Sequence, residues 1–140
     1  MSKQAEAELI LKLYELRRED TMRKARDWYF SQFNPQSISD YNDALFGPYG
    51  GFLRMVISYW EMAAALVNNG AIGLEMFNDT NSEHIGVFTK IEPFLVELRT
   101  QWGPNYMASL EKLIDATPDG RKRVKASRER MQAMRTKLAS

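Results

Sequence analysis

The sequence predicts an all-α protein, an irregular bundle of about five main helices with short connecting helices, a long first helix and a basic last one. Three observations predict it. Apolar residues recur at intervals of three and four along most of the chain. No stretch alternates as a half-buried strand does, and Gly, Pro and Asn cluster where helices of ordinary length would end. No self-similarity at a period of roughly 20 to 50 residues points to a repeat architecture.

The first segment, Lys3 to Phe33, lacks Gly and Pro and is rich in strong helix formers, so one long helix is expected. Its apolar stripe is Leu11, Tyr14, Met22, Ala25, Tyr29 and Phe33, interrupted at Arg18. Asn34-Pro35 ends it, because the residue before a proline is pushed out of the α region. Ser37 to Asp40 can cap a short helix reaching Phe46, and Gly47-Pro48-Tyr49-Gly50-Gly51 reads as a connection. From Phe52 to Asn69 the sequence is apolar except along a line through Arg54, Ser58, Glu61 and Asn68, which predicts a helix enclosed by its neighbours. Asn69-Gly70 supplies its left-handed stop.

Ile72 to Phe77 predicts one or two helical turns. Thr80 and Glu83 have capping-box spacing, so a further helix is expected to start there. Ile85, Phe88, Ile91, Leu95, Leu98 and Trp102 keep one phase straight through Pro93, which favours a single kinked helix. After Gly103, Pro104 or Asn105 opens a helix to Asp115 with Tyr106, Met107, Leu110, Leu113 and Ile114 inward. Thr117-Pro118-Asp119-Gly120 reads as the cap and first turn of the last helix.

At 140 residues the chain is the size of one domain. The expected division is a helical bundle over residues 1–116 and a basic amphipathic helix over 117–140, packed on the same domain or on a second subunit. With no Cys and one His, disulfides, thiolate chemistry and the common zinc sites are excluded, and nothing calls for a cofactor. The amino terminus has no apolar signal core, so a cytoplasmic location is expected. The most apolar run, Phe52 to Val67, carries Arg54 and Glu61 and is shorter than the roughly 20 residues a membrane helix needs. Stable membrane insertion is not expected.

Three elements of the sequence resemble a family of bacterial helical domains of unknown function. They are Met22-Arg23-Lys24-Ala25-Arg26, the run from Tyr59 to Val67 followed by Gly70-Ala71-Ile72, and Ile91-Glu92-Pro93-Phe94 before Leu98-Arg99, in that order. The resemblance implies a helical fold and carries no activity, ligand or catalytic residue with it. It also implies relatives with a membrane span ahead of the domain, whereas this sequence starts almost directly with its first helix.

No phosphate loop, dinucleotide fingerprint, zinc-protease helix or nucleophile elbow is present. Arg54, Glu61 and His84 are the candidates for a ligand pocket. His84 follows Glu83 and lies near Asp79, an arrangement that helix capping and the helix dipole also favour. Arg54 and Glu61 stand two turns apart on an apolar helix; partners for Glu61 are sought in Arg18, Arg26 or Arg99. The aromatic residues and the eight Met are at spacings that suit a core better than a cofactor pocket or an adaptable groove.

Charge separates the two segments. Residues 1–116 hold 11 basic and 16 acidic side chains, net −5, while 117–140 hold eight and two, net +6. The basic helix has a narrow seam of Val124, Ser127, Met131, Met134 and Leu138, and its ordering by docking within the monomer or across a dimer is expected. Nucleic acid is a poor partner, since the rest of the chain is acidic and the tail has no aromatic to stack on bases. The sequence therefore favours a non-enzymatic helical module that pairs with itself or with another protein. The rival is an enzyme or small-ligand carrier with its pocket between the Phe52 helix and the Pro93-kinked helix.

Overall fold

A computed structural model describes residues 2–139; Met1 and Ser140, the outer bounds of the two expected segments, lie outside the described residues. The helices are α1 (Lys3–Arg17), α2 (Asp20–Ser31), α3 (Ile38–Leu45), α4 (Gly50–Asn68), α5 (Leu74–Thr80), α6 (Glu83–Ile91), α7 (Leu95–Trp102), α8 (Ala108–Ala116) and α9 (Gly120–Ala139). A single 3-10 turn, Glu92–Phe94, joins α6 to α7, and no strand occurs among the described residues. The protein is all-α.

Helix α4 is the hub. It packs between α2 and α8 and also touches α3, α5 and α6. Leu53, Val56, Ile57, Trp60, Ala63, Ala64 and Val67 are buried on it, while Arg54, Ser58 and Met62 face solvent. The expected polar line is thus divided, because Glu61 and Asn68 turn toward α8. Helix α9 lies on α6 and α8.

The stretch expected as one long helix is two. Arg18 still has α dihedrals, but Glu19 turns extended, and its carboxylate accepts from the amides of Thr21 and Met22 to start α2. The break falls where the apolar stripe is interrupted. It allows α1 to rotate independently, so Ile10 and Leu13 are buried and Leu11 and Tyr14 are exposed, the reverse of the expected stripe. A continuous rod of that length, roughly 45 Å, would overhang a core of this size.

Further boundaries shift for local reasons. Thr80 does not cap α6; its hydroxyl donates back to the carbonyls of Met76 and Phe77 and closes α5. Ser82 takes the N-cap position of α6 without a side-chain hydrogen bond. Pro93 sits in the 3-10 turn, and Ile85, Phe88, Ile91, Leu95 and Leu98 hold one buried phase across it, whereas Trp102 is half exposed. Helix α8 starts later than Pro104, because Met107 adopts left-handed dihedrals immediately before it.

Thr117 also closes a helix rather than opening one, its hydroxyl donating to the Leu113 carbonyl at the end of α8. Asp119, with φ 57°, then turns the chain sharply into Gly120. A Cβ on Gly120 would lie 2.0 Å from the Ile114 carbonyl oxygen. Only a glycine fits where α9 leaves α8. Gly120→Ala is therefore expected to destabilise the fold by about 1–3 kcal/mol through forced separation of the two helices, measurable by urea denaturation. Unchanged stability would show that the turn can open without loss.

Candidate functional site

The three pocket candidates point to three different places. Arg54 donates weakly, at 3.4 Å, to the Leu45 carbonyl at the end of α3. Glu61 accepts from the amides of Ser109 at 2.9 Å and Leu110 at 2.7 Å. Its partner is therefore the N-terminus of α8, not Arg18, Arg26 or Arg99. Met107 provides no side-chain cap there, so the carboxylate from α4 satisfies two free amides and meets the positive end of the helix dipole.

His84 is 0 % exposed. Its ring lies 5.1 Å from that of Phe77 and 5.7 Å from that of Trp60, between α4, α5 and α6. Among the described residues neither ring nitrogen has a hydrogen-bond partner, and Trp60 Nε1 is likewise unpaired. Burial, with a smaller effect from the Arg123 charge, pushes the imidazole down to about 4. It is a neutral, enclosed side chain near pH 7. Glu83, beside it in sequence, is held at 3.0 Å by Arg26, which also donates to the Arg17 carbonyl at the end of α1.

A common pattern runs through the charged residues. Glu6 on α1 accepts from the Gly73 amide that precedes α5. Lys90 donates to the Tyr29 and Phe33 carbonyls at the end of α2. Arg99 Nε donates to the Tyr106 carbonyl in the loop ahead of α8. Charged side chains of one helix complete the termini of another, which is how an irregular bundle with short helices satisfies its orphan backbone groups.

A model of the family described as "Domain of unknown function (DUF4760)" matches residues 4–117. The chain belongs to that family. The match to the DUF4760 domain ends in the loop ahead of α9, so the basic helix lies beyond the matched span. No curated protein and no solved structure matches the chain. No helix among the described residues is long and apolar enough to cross a membrane.

The residues of the α9 seam have different fates. Val124 is 1 % exposed, Ser127 is buried and Met131 is half-buried, all against the DUF4760 domain. Met134 is 63 % and Leu138 81 % exposed. Arg121 and Arg128 tie the first half of α9 down: Arg121 meets Glu92, Glu111 and Asp115, and Arg128 meets Glu92 at 2.7 Å and the Thr89 carbonyl. The sequence did not single out this cluster, because the acids come from two other helical segments.

A cavity of about 210 Å³ lies between the loop after α2, the α6 end and α9. Lys90, Arg128 and Arg135 line it, with Asn34, Gln36 and Gln132. None of these was expected as a site from the sequence, since no two of its walls are adjacent in the chain.

Proposed function

We infer that this protein, a DUF4760 domain followed by α9, is a non-enzymatic helical module of the bacterial cytoplasm that pairs with a second copy of itself through the distal half of α9. One observation carries the reading. The apolar seam of α9 begins buried at Val124 and continues past the bundle to Met134 and Leu138, which no other element among the described residues covers. A helix of 20 residues is roughly 30 Å long, so its second half projects beyond the elements it docks on.

Charge favours a second copy as the occupant. The seam is flanked by Arg130, Arg135 and Lys137 on a segment of net charge +6, and the rest of the chain is net −5. On α1, Leu11 is exposed with Glu8 and Glu15 one turn to either side, an apolar residue with acidic neighbours that suits such a helix. Reciprocal docking of two tails would close a two-fold dimer. The absence of Cys is compatible with a reducing compartment. The aromatic rings of Trp60 and Phe77 and the imidazole of His84 fill the space between α4 and α6, which favours this reading over a ligand site there.

The test is a Met134→Asp, Leu138→Asp double variant followed by light scattering and thermal melting. A concentration-dependent dimer in the wild type that becomes monomeric in the variant, with the fold retained, is the expected result. A wild type that stays monomeric at millimolar concentration would sink the reading.

A further inference from the structure

We propose that the cavity between the loop after α2, the end of α6 and α9 is a binding site for a phosphate group, gripped by Arg128, Gln132 and Arg135 from α9 above a floor formed by Lys90. The inference goes beyond self-association and does not depend on it.

The floor is a buried cation that meets no carboxylate among the described residues. Lys90 is 8 % exposed, and its ammonium donates to the carbonyls of Tyr29 at 2.7 Å and Phe33 at 2.6 Å and to Asn34 Oδ1 at 3.2 Å. All three acceptors are neutral. They satisfy its hydrogens without cancelling its charge. Burial, reinforced by the Arg135 charge, pushes Lys90 down to about 8, which reports that two cations share this cavity.

The wall from α9 is a donor face. Arg128, Gln132 and Arg135 are spaced four and three apart, so they project from one side of the helix. Arg128 uses Nη2 on the Thr89 carbonyl and on Glu92, leaving Nε and Nη1 without an acceptor among the described residues. Arg135 is half-buried and makes no hydrogen bond or ion pair among the described residues. Among the described residues no carboxylate lines the cavity. The nearest acid in the network, Glu92, is already shared between Arg121 and Arg128.

A half-buried arginine beside a buried lysine is a like-charge pair that an anion would relieve. Guanidinium forks supply paired donors to the several oxygens of a phosphate, and the Lys90 ammonium, its three hydrogens already committed, adds charge beneath them. Size narrows the class. At about 210 Å³ the space is below the roughly 300–1,000 Å³ of pockets for drug-sized ligands, so it suits inorganic phosphate or a short phosphate monoester better than a whole nucleotide. Pro93, Phe94 and Met131 provide an apolar side for the ester group.

The experiment is calorimetric titration of the full chain at constant ionic strength with inorganic phosphate, with ethyl phosphate and with chloride, on wild type, Arg135→Gln and Arg130→Gln. Arg130 is exposed, does not line the cavity and controls for the general charge of the tail. Saturable binding of either phosphate, weakened about tenfold or more in Arg135→Gln and kept in Arg130→Gln, is expected. Tighter binding of the free ion identifies inorganic phosphate as the ligand, and tighter binding of the ester identifies an organic phosphate; both support the site. Binding that is absent, matched by chloride, or equally weakened by both substitutions would overturn it. Circular dichroism of Arg135→Gln checks that the fold persists, as expected for a side chain with no hydrogen bond or ion pair among the described residues.

Discussion

Glu61→Ala is expected to destabilise the protein by about 2–4 kcal/mol, more than an exposed charge on a helix would. The carboxylate is the acceptor for the Ser109 and Leu110 amides, and Leu110 is fully buried, so water cannot simply replace it. Removal leaves two amides at the start of α8 unsatisfied and deletes a negative charge from the positive end of that helix. Urea denaturation measures the loss, and amide exchange should show it concentrated at Ser109 and Leu110. Glu61→Gln keeps an acceptor but not the charge, so its loss should be smaller. If alanine and glutamine were both neutral, the inter-helix cap would have no energetic role.

His84 should make the protein acid-labile over a defined window. Its folded value is depressed to about 4 against an ordinary 6.5. The native state therefore refuses a proton that the unfolded chain accepts. Stability from this group is complete above pH 6.5, falls as pH drops toward 4 and levels off below, a total of about 3 kcal/mol. His84→Leu should remove this slope and, by replacing an enclosed imidazole with unpaired nitrogens, hold or raise stability at pH 7. Denaturant midpoints of both proteins between pH 4 and 7 test it, since the carboxylates they share cancel in the difference. Parallel curves would show that the ring finds a partner or opens to solvent on protonation.

Both predictions concern residues that the sequence marks only as polar groups in apolar surroundings. That Arg54, Glu61 and His84 stand out was legible, because charge or imidazole within an apolar helical phase must be satisfied or enclosed. Their partners were not. The amides that Glu61 meets are those of Ser109 and Leu110, 48 and 49 positions away, and backbone amides leave no mark in composition. Lys90 was missed for the same reason. Its acceptors are main-chain carbonyls and one amide, and nothing in Thr89-Lys90-Ile91 distinguishes a buried lysine from an exposed one.

The helical class, the apolar hub at α4, a bend at Pro93 with the apolar phase carried through it and the charge contrast between tail and body were legible in the residues, although the bend is a 3-10 turn between two helices and not a kink in one. These follow from periodicity, proline and glycine chemistry and residue counts, all local properties. Only the tertiary structure decided that the first helix breaks at Glu19, that Ile10 and Leu13 rather than Leu11 and Tyr14 face inward, that α8 waits for Ala108, and that α9 docks by its first half. The physical reason is common to all four. A helix end is stable where its free amides and carbonyls find partners, and in this bundle several of those partners are charged side chains on other helices.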